Sequence, residues 1–249
     1  MIPFSDPSEP NRIFPWMNLS LIAANFVVFF YELSLQAQST GTLNSFFNHY
    51  ALVPCEYTNH CRIISGTPQP FEVTLITSMF LHAGWLHILG NMLYLFVFGD
   101  NIENSMGHIR YLFFYLLCGL GANGLEIVTS VGSHLPGLGA SGAIAGVLAA
   151  YLVLYPTSRV GTLIPIGFIF FPVRLPAWVL IGFWFALQLI DGLVTLSSKT
   201  TDVSGGVAYW AHVGGFISGL ILVWLFRHPE RVGQMQRYHA GPYGRWGPG

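Results

Sequence analysis

Six long apolar runs are the feature that most constrains how this chain can fold. A helix needs roughly 20 apolar residues to cross a hydrocarbon core of about 30 Å. The whole chain is 53% hydrophobic and only 8% charged, where an average soluble protein has about 25% charged residues. We therefore expect an all-α membrane protein, a bundle of six transmembrane helices. The runs lie at about 16–36, 74–98, 109–129, 139–155, 177–191 and 207–226.

The segment before the fifth run is apolar but interrupted. It reads "LIPIGFIFF" over Leu163–Phe171, and Pro165, Pro172 and Pro176 lie within or beside it. Proline suits the first turn of a helix better than its interior. We expect an interfacial or re-entrant approach here, then a helix that starts near Pro176. A seventh span is the alternative.

The remaining segments are short. Residues 1–15 carry Asp6 and Glu9 but no basic run, which is not the pattern of a cleaved secretory signal, so we expect the first apolar run to stay as an anchor. Residues 16–226 form the expected membrane domain. Residues 227–249 are polar and rich in glycine and aromatic residues, and we expect a disordered tail.

Basic residues are distributed unevenly between the two sides that six spans would create. Lysine and arginine accumulate on the cytoplasmic side of membrane proteins, so we expect both termini to be cytoplasmic. A bacterial plasma membrane is the default, and an organelle membrane is the alternative. The net charge of −1 and the lack of a basic stripe give no indication of a nucleic-acid partner. One side holds Arg12, Arg110, Arg159, Arg174, Arg227, Arg231, Arg237 and Arg245, and the other only Arg62 and Lys199.

The three cysteines fall in two settings. Cys55 and Cys61 lie in the first loop, on the exported side where oxidation can occur, and the sequence leaves open whether they form a disulfide. Cys118 lies within an apolar run and is most simply a packing residue.

Polar residues inside the apolar runs are costly in a bilayer and therefore need an explanation. In the second run, His87 and Asn91 are four residues apart and share one helix face, with His82 five residues before His87. Hydrogen bonding to neighbouring helices is the simpler interpretation of these side chains. Glu32 and Glu126 lie toward the exported ends of their runs and are interpreted as interfacial.

Two runs carry rows of small residues at four-residue spacing, which let helix backbones approach closely. If the two rows meet, Ser141 beside one row and His212 beside the other arrive at the same level on opposed helices. The rows are Gly142, Gly146 and Ala150 in the fourth run, and Ala211, Gly215 and Gly219 in the sixth.

Ser141 opens a short helix in the stretch "GLGASGAIAG". A helix from Ser141 to Tyr155 covers roughly 22 Å, less than the bilayer core, so its N-terminus should lie below the exported surface beside a water-filled cavity. Free N–H groups and the helix dipole at that end suit an oxyanion. A helix N-cap is the structural alternative for Ser141.

Taken together, these residues suit acyl transfer. A nucleophilic Ser141 needs a base, and His212 is the histidine that the small-residue rows would bring to it. His87, Asn91 and the backbone N–H of Ser141 could stabilise the tetrahedral intermediate. No acidic residue lies within the second, fourth or sixth run, and Asp191 and Asp202 belong to the rim of the last exported loop, so we infer a dyad without a third member.

Over about residues 14–226, the chain resembles the rhomboid family of intramembrane serine proteases. The family's histidine followed by His-x-x-x-Asn is similar to His82, His87 and Asn91. Its Gly-x-Ser-Gly is similar to Gly139, Ala140, Ser141 and Gly142. Its Ala-His-x-x-Gly-x-x-x-Gly is similar to Ala211, His212, Gly215 and Gly219.

The resemblance implies a fold, an activity and roles for these residues. It implies a six-helix rhomboid-like bundle in which Ser141 is the nucleophile, His212 the general base and acid, and His87 and Asn91 the oxyanion partners. The expected substrates are transmembrane segments of membrane proteins, reached through the lipid past the fifth span, about Pro176 to Ile190. No cofactor and no metal is expected.

Two family features are absent from this sequence. The first-loop Trp-Arg pair of some members is missing, with Cys61-Arg62 the nearest candidate. The position four after the nucleophile, aromatic in some members, is Ala145, so support for the ring of His212 must come from elsewhere.

Four other functions fit the sequence less well. A rhomboid-like pseudoprotease would be expected to lack Ser141 or His212, and both are present. A transporter or proton channel could use the buried histidines, but paired broken helices are missing. A metal-dependent protease needs His-Glu-x-x-His, which does not occur. A soluble α/β-hydrolase needs a strand before its serine.

Overall fold

The computed structural model describes residues 1–6, 13–63, 67–68, 70–197 and 208–240 of the 249 residues. Helices dominate this part of the chain. They are α1 (Trp16–Gln38), α2 (Thr40–Tyr50), α3 (Pro54–Tyr57), α4 (Thr74–Thr77), α5 (Trp85–Met106), α6 (His108–Thr129), α7 (Ser141–Leu154), α8 (Ala177–Ser197), α9 (Tyr209–Phe226) and α10 (Pro229–Ala240), with 3₁₀ turns at Phe71–Val73 and Ser78–Phe80.

The helices confirm a mostly helical membrane architecture but do not reproduce the count of six by length alone. Within the described residues, α1, α6, α8 and α9 are long and apolar enough to cross a membrane. The segment Phe71–Phe80 and α5 together make a fifth candidate, bent by 82° at the break between them. Helix α7 has only 14 residues, so it is shorter than a full span, as the sequence indicated.

The break before α5 differs from the expected continuous second run at 74–98. His82 lies in this break and not within the helix that carries His87 and Asn91. The carboxylate of Glu32 on α1 accepts the backbone N–H of His82, at 3.1 and 3.3 Å. Glu32 is only 2% exposed, so its interpretation as an interfacial residue is wrong, and its carboxylate satisfies the backbone where the helix is interrupted.

Helices α6, α7 and α9 pack closely through their small residues. A side-chain carbon added to Gly215 or Gly219 would overlap the carbonyl oxygen of Gly142 or Gly146, respectively. One added to Gly146 would lie 2.5 Å from Cys118 on α6. The two small-residue rows therefore face each other with no room for a methyl group, and Cys118 is a buried packing residue.

A three-stranded antiparallel sheet was not expected. Its strands are β1 (Ile2–Ser5), β2 (Arg159–Ile166) and β3 (Ile169–Pro176), in the order β1-β2-β3. The apolar segment Leu163–Phe171 is thus part of a β-hairpin, a structure that the expectation of an interfacial or re-entrant approach did not include. Gly167 has a φ of +61°, which suits the first position of a type II′ turn. Helix α8 starts directly after Pro176, as expected.

The end of the chain also differs from the expectation. Pro229–Ala240 forms helix α10, where disorder was expected from Arg227 onward. Val232 and Met235, three residues apart on one face, are buried and so stabilise this helix by packing. Residues 241–249 and Asp202 lie outside the described residues.

The first loop braces the segment that leads to Ser141. Leu52 and Gly137 exchange backbone hydrogen bonds of 2.9 and 2.7 Å, and the Cys55 N–H donates to the Ser133 carbonyl at 3.0 Å. Cys55 and Cys61 form a disulfide in this loop. The loop and the serine segment are therefore held as one unit.

Candidate active site

Ser141 and His212 form a hydrogen-bonded pair. The Oγ atom of Ser141, the first residue of α7, lies 2.8 Å from Nε2 of His212 on α9. The close approach of α7 and α9 at Gly142 and Gly215 makes this distance possible. His212 is 8% exposed and Ser141 is partly accessible, so the histidine is shielded while the hydroxyl can be reached.

Ser141 does not act as the N-cap of α7. Ala140 holds the N-cap position, and no side chain caps this end of the helix. The structure therefore does not support the alternative role of Ser141 as a helix N-cap. Its hydroxyl bonds to His212, and the first N–H groups of α7 stay available for an acceptor.

Gln188 determines which nitrogen of His212 carries the proton. The Nδ1 atom of His212 lies 2.6 Å from Oε1 of Gln188 on α8. A carbonyl oxygen can only accept, so Nδ1 donates and Nε2 is left to accept the hydroxyl hydrogen of Ser141. The histidine thus has the tautomer that a general base needs.

Trp184 supports the same ring. Its centroid lies 5.7 Å from that of His212, and it is one turn before Gln188 on α8, so both side chains share a face. The support that Ala145 cannot supply from α7 comes from these two residues. Neither was predicted, although a glutamine inside the apolar run 177–191 was a signal that could have singled it out.

His87 and Asn91 border the segment just before Ser141. A side-chain carbon added to Gly139, whose φ is +124°, would lie 2.7 Å from His87 Nε2 and 3.7 Å from Asn91 Nδ2. Glycine is therefore required there by both conformation and space. The structure places both predicted oxyanion partners beside Gly139, which precedes Ser141 by two residues in the chain.

His82 orients Asn91. Its Nδ1 atom lies 3.3 Å from the Phe80 carbonyl oxygen, which leaves Nε2 to accept a hydrogen bond of 3.0 Å from Asn91 Nδ2. The His82 and His87 rings meet edge to face at 5.0 Å. One of the two amide hydrogens of Asn91 thus fixes the side chain, and the other is left for a ligand.

Glu126 holds the start of α9. Its Oε2 atom accepts the backbone N–H of Ala211 at 3.1 Å, and its Oε1 atom accepts the hydroxyl of Ser130 at 2.7 Å. Glu126 is thus a capping residue beside His212, and its interpretation as simply interfacial is wrong.

A cavity of about 20 Å³ adjoins Ser141, enough for a water molecule. Its polar lining includes Ser78, Asn123 and Glu126. Asn123 Nδ2 donates to Ser78 Oγ at 3.1 Å. Polar groups therefore line part of a space directly beside the serine.

Among the described residues, Cys55, Cys61 and His134 lie close enough together to share an ion. The two sulfur atoms are bonded to each other, and a disulfide does not supply the thiolates that metals bind. This group therefore does not resemble a metal centre as it stands.

Comparison with known proteins identifies the family. The family model of the rhomboid domain matches residues 70–229. The chain is 26% identical over 229 residues to RHOMBOID-like protein 1 of Arabidopsis thaliana, covering 86% of this chain and 54% of that protein. It is 27% identical over 185 residues to Rhomboid protein 1, mitochondrial, of Saccharomyces cerevisiae, covering 70% and 47%.

A third relative is the presenilin-associated rhomboid-like protein, mitochondrial, of Mus musculus. It is 30% identical over 170 residues, covering 62% of this chain and 40% of that protein. The chain therefore spans about half the length of the curated relatives it matches. Because mitochondrial proteins are among them, these relatives do not support the expected bacterial plasma membrane.

The family match covers the break before α5, the Ser141 segment and all of α9. It agrees with the helical membrane architecture and supports an integral, multi-pass membrane protein with a protease-like function at the level of the family. The chain belongs to the rhomboid family.

Proposed function

We propose that this chain is a serine endopeptidase that hydrolyses peptide bonds in or near transmembrane segments of membrane proteins, with Ser141 and His212 as its catalytic dyad. The 2.8 Å hydrogen bond from Ser141 Oγ to His212 Nε2 carries the proposal. The hydrogen bond between His212 Nδ1 and Gln188 supports it, because it leaves Nε2 free to accept a proton.

In the first half of the reaction, Ser141 Oγ attacks the scissile carbonyl carbon while His212 Nε2 takes the hydroxyl proton. Negative charge develops on the carbonyl oxygen. The backbone N–H of Ser141, the second amide hydrogen of Asn91 and the side chain of His87 are the proposed donors to it. Collapse of the tetrahedral intermediate breaks the C–N bond, and His212 returns the proton to the departing amine.

In the second half, water hydrolyses the ester formed on Ser141. His212 Nε2 removes a proton from the water as it attacks the acyl carbon, and then returns a proton to Ser141 Oγ. The cavity beside the serine, with its polar lining, is large enough to supply that water. The acid product leaves and the free hydroxyl is regenerated.

The substrate must present an extended backbone to Ser141. A transmembrane helix keeps its carbonyl groups in internal hydrogen bonds, so the cleaved segment has to unwind first. Each glycine lowers that cost by about 1 kcal/mol relative to alanine. We expect preferred substrates to carry weak helix formers near the membrane face where Ser141 lies. Both termini of this chain then lie on the opposite, arginine-rich, cytoplasmic side.

Cleavage by the purified protein in detergent or liposomes tests this proposal. The substrate is a transmembrane segment with a glycine-rich end on the serine side. Cleavage is expected for the parent and for Ser20→Ala, a control whose hydroxyl donates to the Trp16 carbonyl oxygen within α1. It should vanish in Ser141→Ala and His212→Ala. Cleavage that survives in Ser141→Ala, or a folded parent that cleaves no such segment, would contradict the proposal.

A further inference from the structure

The tip of the β2–β3 hairpin, residues 166–171, carries large apolar side chains that are not covered by the described part of the protein. Successive residues of a strand point to opposite faces of a sheet, yet the apolar side chains on both faces of this tip are exposed. The exposed fractions are 63% for Ile166, 102% for Phe168, 62% for Ile169, 54% for Phe170 and 44% for Phe171. Contact with water on both faces would be strongly unfavourable.

Charge is confined to the base of the hairpin. No charged residue lies between Arg159, at the start of β2, and Arg174, near the end of β3. Arg159 pairs with Pro176 and Arg174 with Gly161, at the end away from the turn. An apolar tip with arginines at its base is the distribution expected of an element that crosses from headgroups into hydrocarbon.

The prolines reduce the backbone cost of such an element. In a hairpin with a two-residue turn, the two residues that flank the turn form two backbone hydrogen bonds with each other. Away from the turn, non-hydrogen-bonded and hydrogen-bonded pairs alternate along the strands. Ile166 with Ile169 is such a pair, so Pro172 and Pro176 occupy positions that point toward the free edge of β3. Pro165 occupies the equivalent position on β2, beyond the end of β1. Pro165 and Pro172, which lie in the part of the hairpin between the two arginines, each remove an N–H that would have no partner in lipid.

The sheet lies alongside the helical bundle and not away from it. The Tyr94 hydroxyl on α5 donates to the carbonyl oxygen of Met1, which adjoins β1, at 3.3 Å. Tyr94 lies about 18 Å along the helix axis from Met106, the last residue of α5. The hairpin strands also contact α8. Strand β2 continues toward the turn for three residues beyond Leu163, which pairs with Ile2 of β1.

We propose that the hairpin tip inserts into the hydrocarbon of the leaflet opposite Ser141, with lipid acyl chains as its partner and Arg159 and Arg174 at the headgroups. Helix α7 places the serine at its first residue, and β2 follows the other end of α7, which assigns the hairpin to that leaflet. This inference concerns membrane contact and goes beyond the proposed peptidase activity.

Depth-dependent fluorescence tests the insertion directly. Phe168→Cys is labelled with an environment-sensitive fluorophore and reconstituted in phosphatidylcholine vesicles. Background labelling is low because Cys118 is buried and the other two cysteines are paired. Phe183→Cys, on the exposed face of α8, marks a lipid-facing site, and Gln234→Cys, exposed on α10, marks an aqueous one. Each variant is first checked for an unchanged unfolding temperature.

The label at Phe168 should match the one at Phe183, with blue-shifted emission, quenching by spin labels on lipid acyl chains and protection from aqueous iodide. Emission and iodide quenching like those at Gln234 would overturn the proposal. Protection from both quenchers, with cross-linking between copies, would also overturn it and would indicate a protein partner. Since no result depends on cleavage, the peptidase proposal stands or falls separately.

Discussion

His212 Nδ1 lies 2.6 Å from Gln188 Oε1, and this contact joins the predicted histidine to α8, a helix that carries none of the predicted site residues. Gln188 is half-buried, and Trp184 lies one turn away against the same imidazole. The orientation and the tautomer of His212 therefore depend on α8 being packed against α9.

Gln188→Leu removes the acceptor while keeping a side chain of similar size. Without it, Nδ1 loses its partner and the productive tautomer is no longer favoured. We expect kcat to fall roughly 10- to 100-fold, equivalent to about 1.4–2.7 kcal/mol. KM should change little, because Gln188 acts through His212. Steady-state kinetics on a transmembrane-segment substrate measure both constants.

Gln188→Glu distinguishes positioning from a general packing role. A carboxylate keeps an acceptor for Nδ1, so we expect most of the activity to return. Leu187→Ala, next to it on an exposed part of α8, serves as the control and should retain parental kinetics. Full activity in Gln188→Leu, or equal losses in the leucine and glutamate variants, would rule out the positioning role.

Gly215→Ala tests the contact between α7 and α9. The added methyl group would overlap the Gly142 carbonyl oxygen, which belongs to rigid backbone, so the helices must separate. We expect a loss of about 1–3 kcal/mol in unfolding free energy together with a loss of activity. Gly182→Ala, where nothing lies within 4 Å of the added carbon, should be neutral or slightly stabilising. Similar behaviour of the two variants in thermal unfolding would contradict this packing.

Glu32→Leu tests the buried acceptor at the break before α5. It leaves the His82 N–H without a partner, which should cost about 1–3 kcal/mol. Glu32→Gln keeps one accepting oxygen and should cost less. Unfolding in detergent, followed by circular dichroism, gives both values. An equal loss in the two variants would mean that charge and not hydrogen bonding matters at this position.

The disulfide between Cys55 and Cys61 can be tested by counting reactive thiols. Of the three cysteines, only Cys118 should react with a thiol reagent after unfolding without reductant, and all three should react after reduction. Reduction should lower the unfolding free energy by about 2 kcal/mol, because the bond restricts the conformations of the unfolded chain. Three reactive thiols in the unreduced protein would show that the bond does not form.

The spacing of the small residues was enough to predict that Ser141 and His212 would come together if the rows on α7 and α9 met. The rows at Gly142 and Gly215 do meet, and that packing places Ser141 beside His212. The helical membrane architecture was likewise predictable, because hydropathy reports directly on which segments prefer lipid.

Contacts between distant segments were not predictable from one sequence. The bond of Gln188 to His212 depends on how α8 rotates about its axis, which an almost wholly apolar helix does not indicate. The break at His82 depends on Glu32, 50 residues away along the chain. The pairing of β1 with β2 joins segments more than 150 residues apart, and an apolar run such as Leu163–Phe171 suits a strand or a helix equally well.

Covalent labelling of Ser141 tests the central claim most directly. The folded protein is treated with a fluorophosphonate, digested and analysed by mass spectrometry to locate the modified residue. We predict a single adduct on Ser141, with the labelling rate strongly reduced in His212→Ala because the hydroxyl has lost its base. An adduct on another serine, or labelling of Ser141 at the same rate without His212, would contradict a Ser141–His212 dyad.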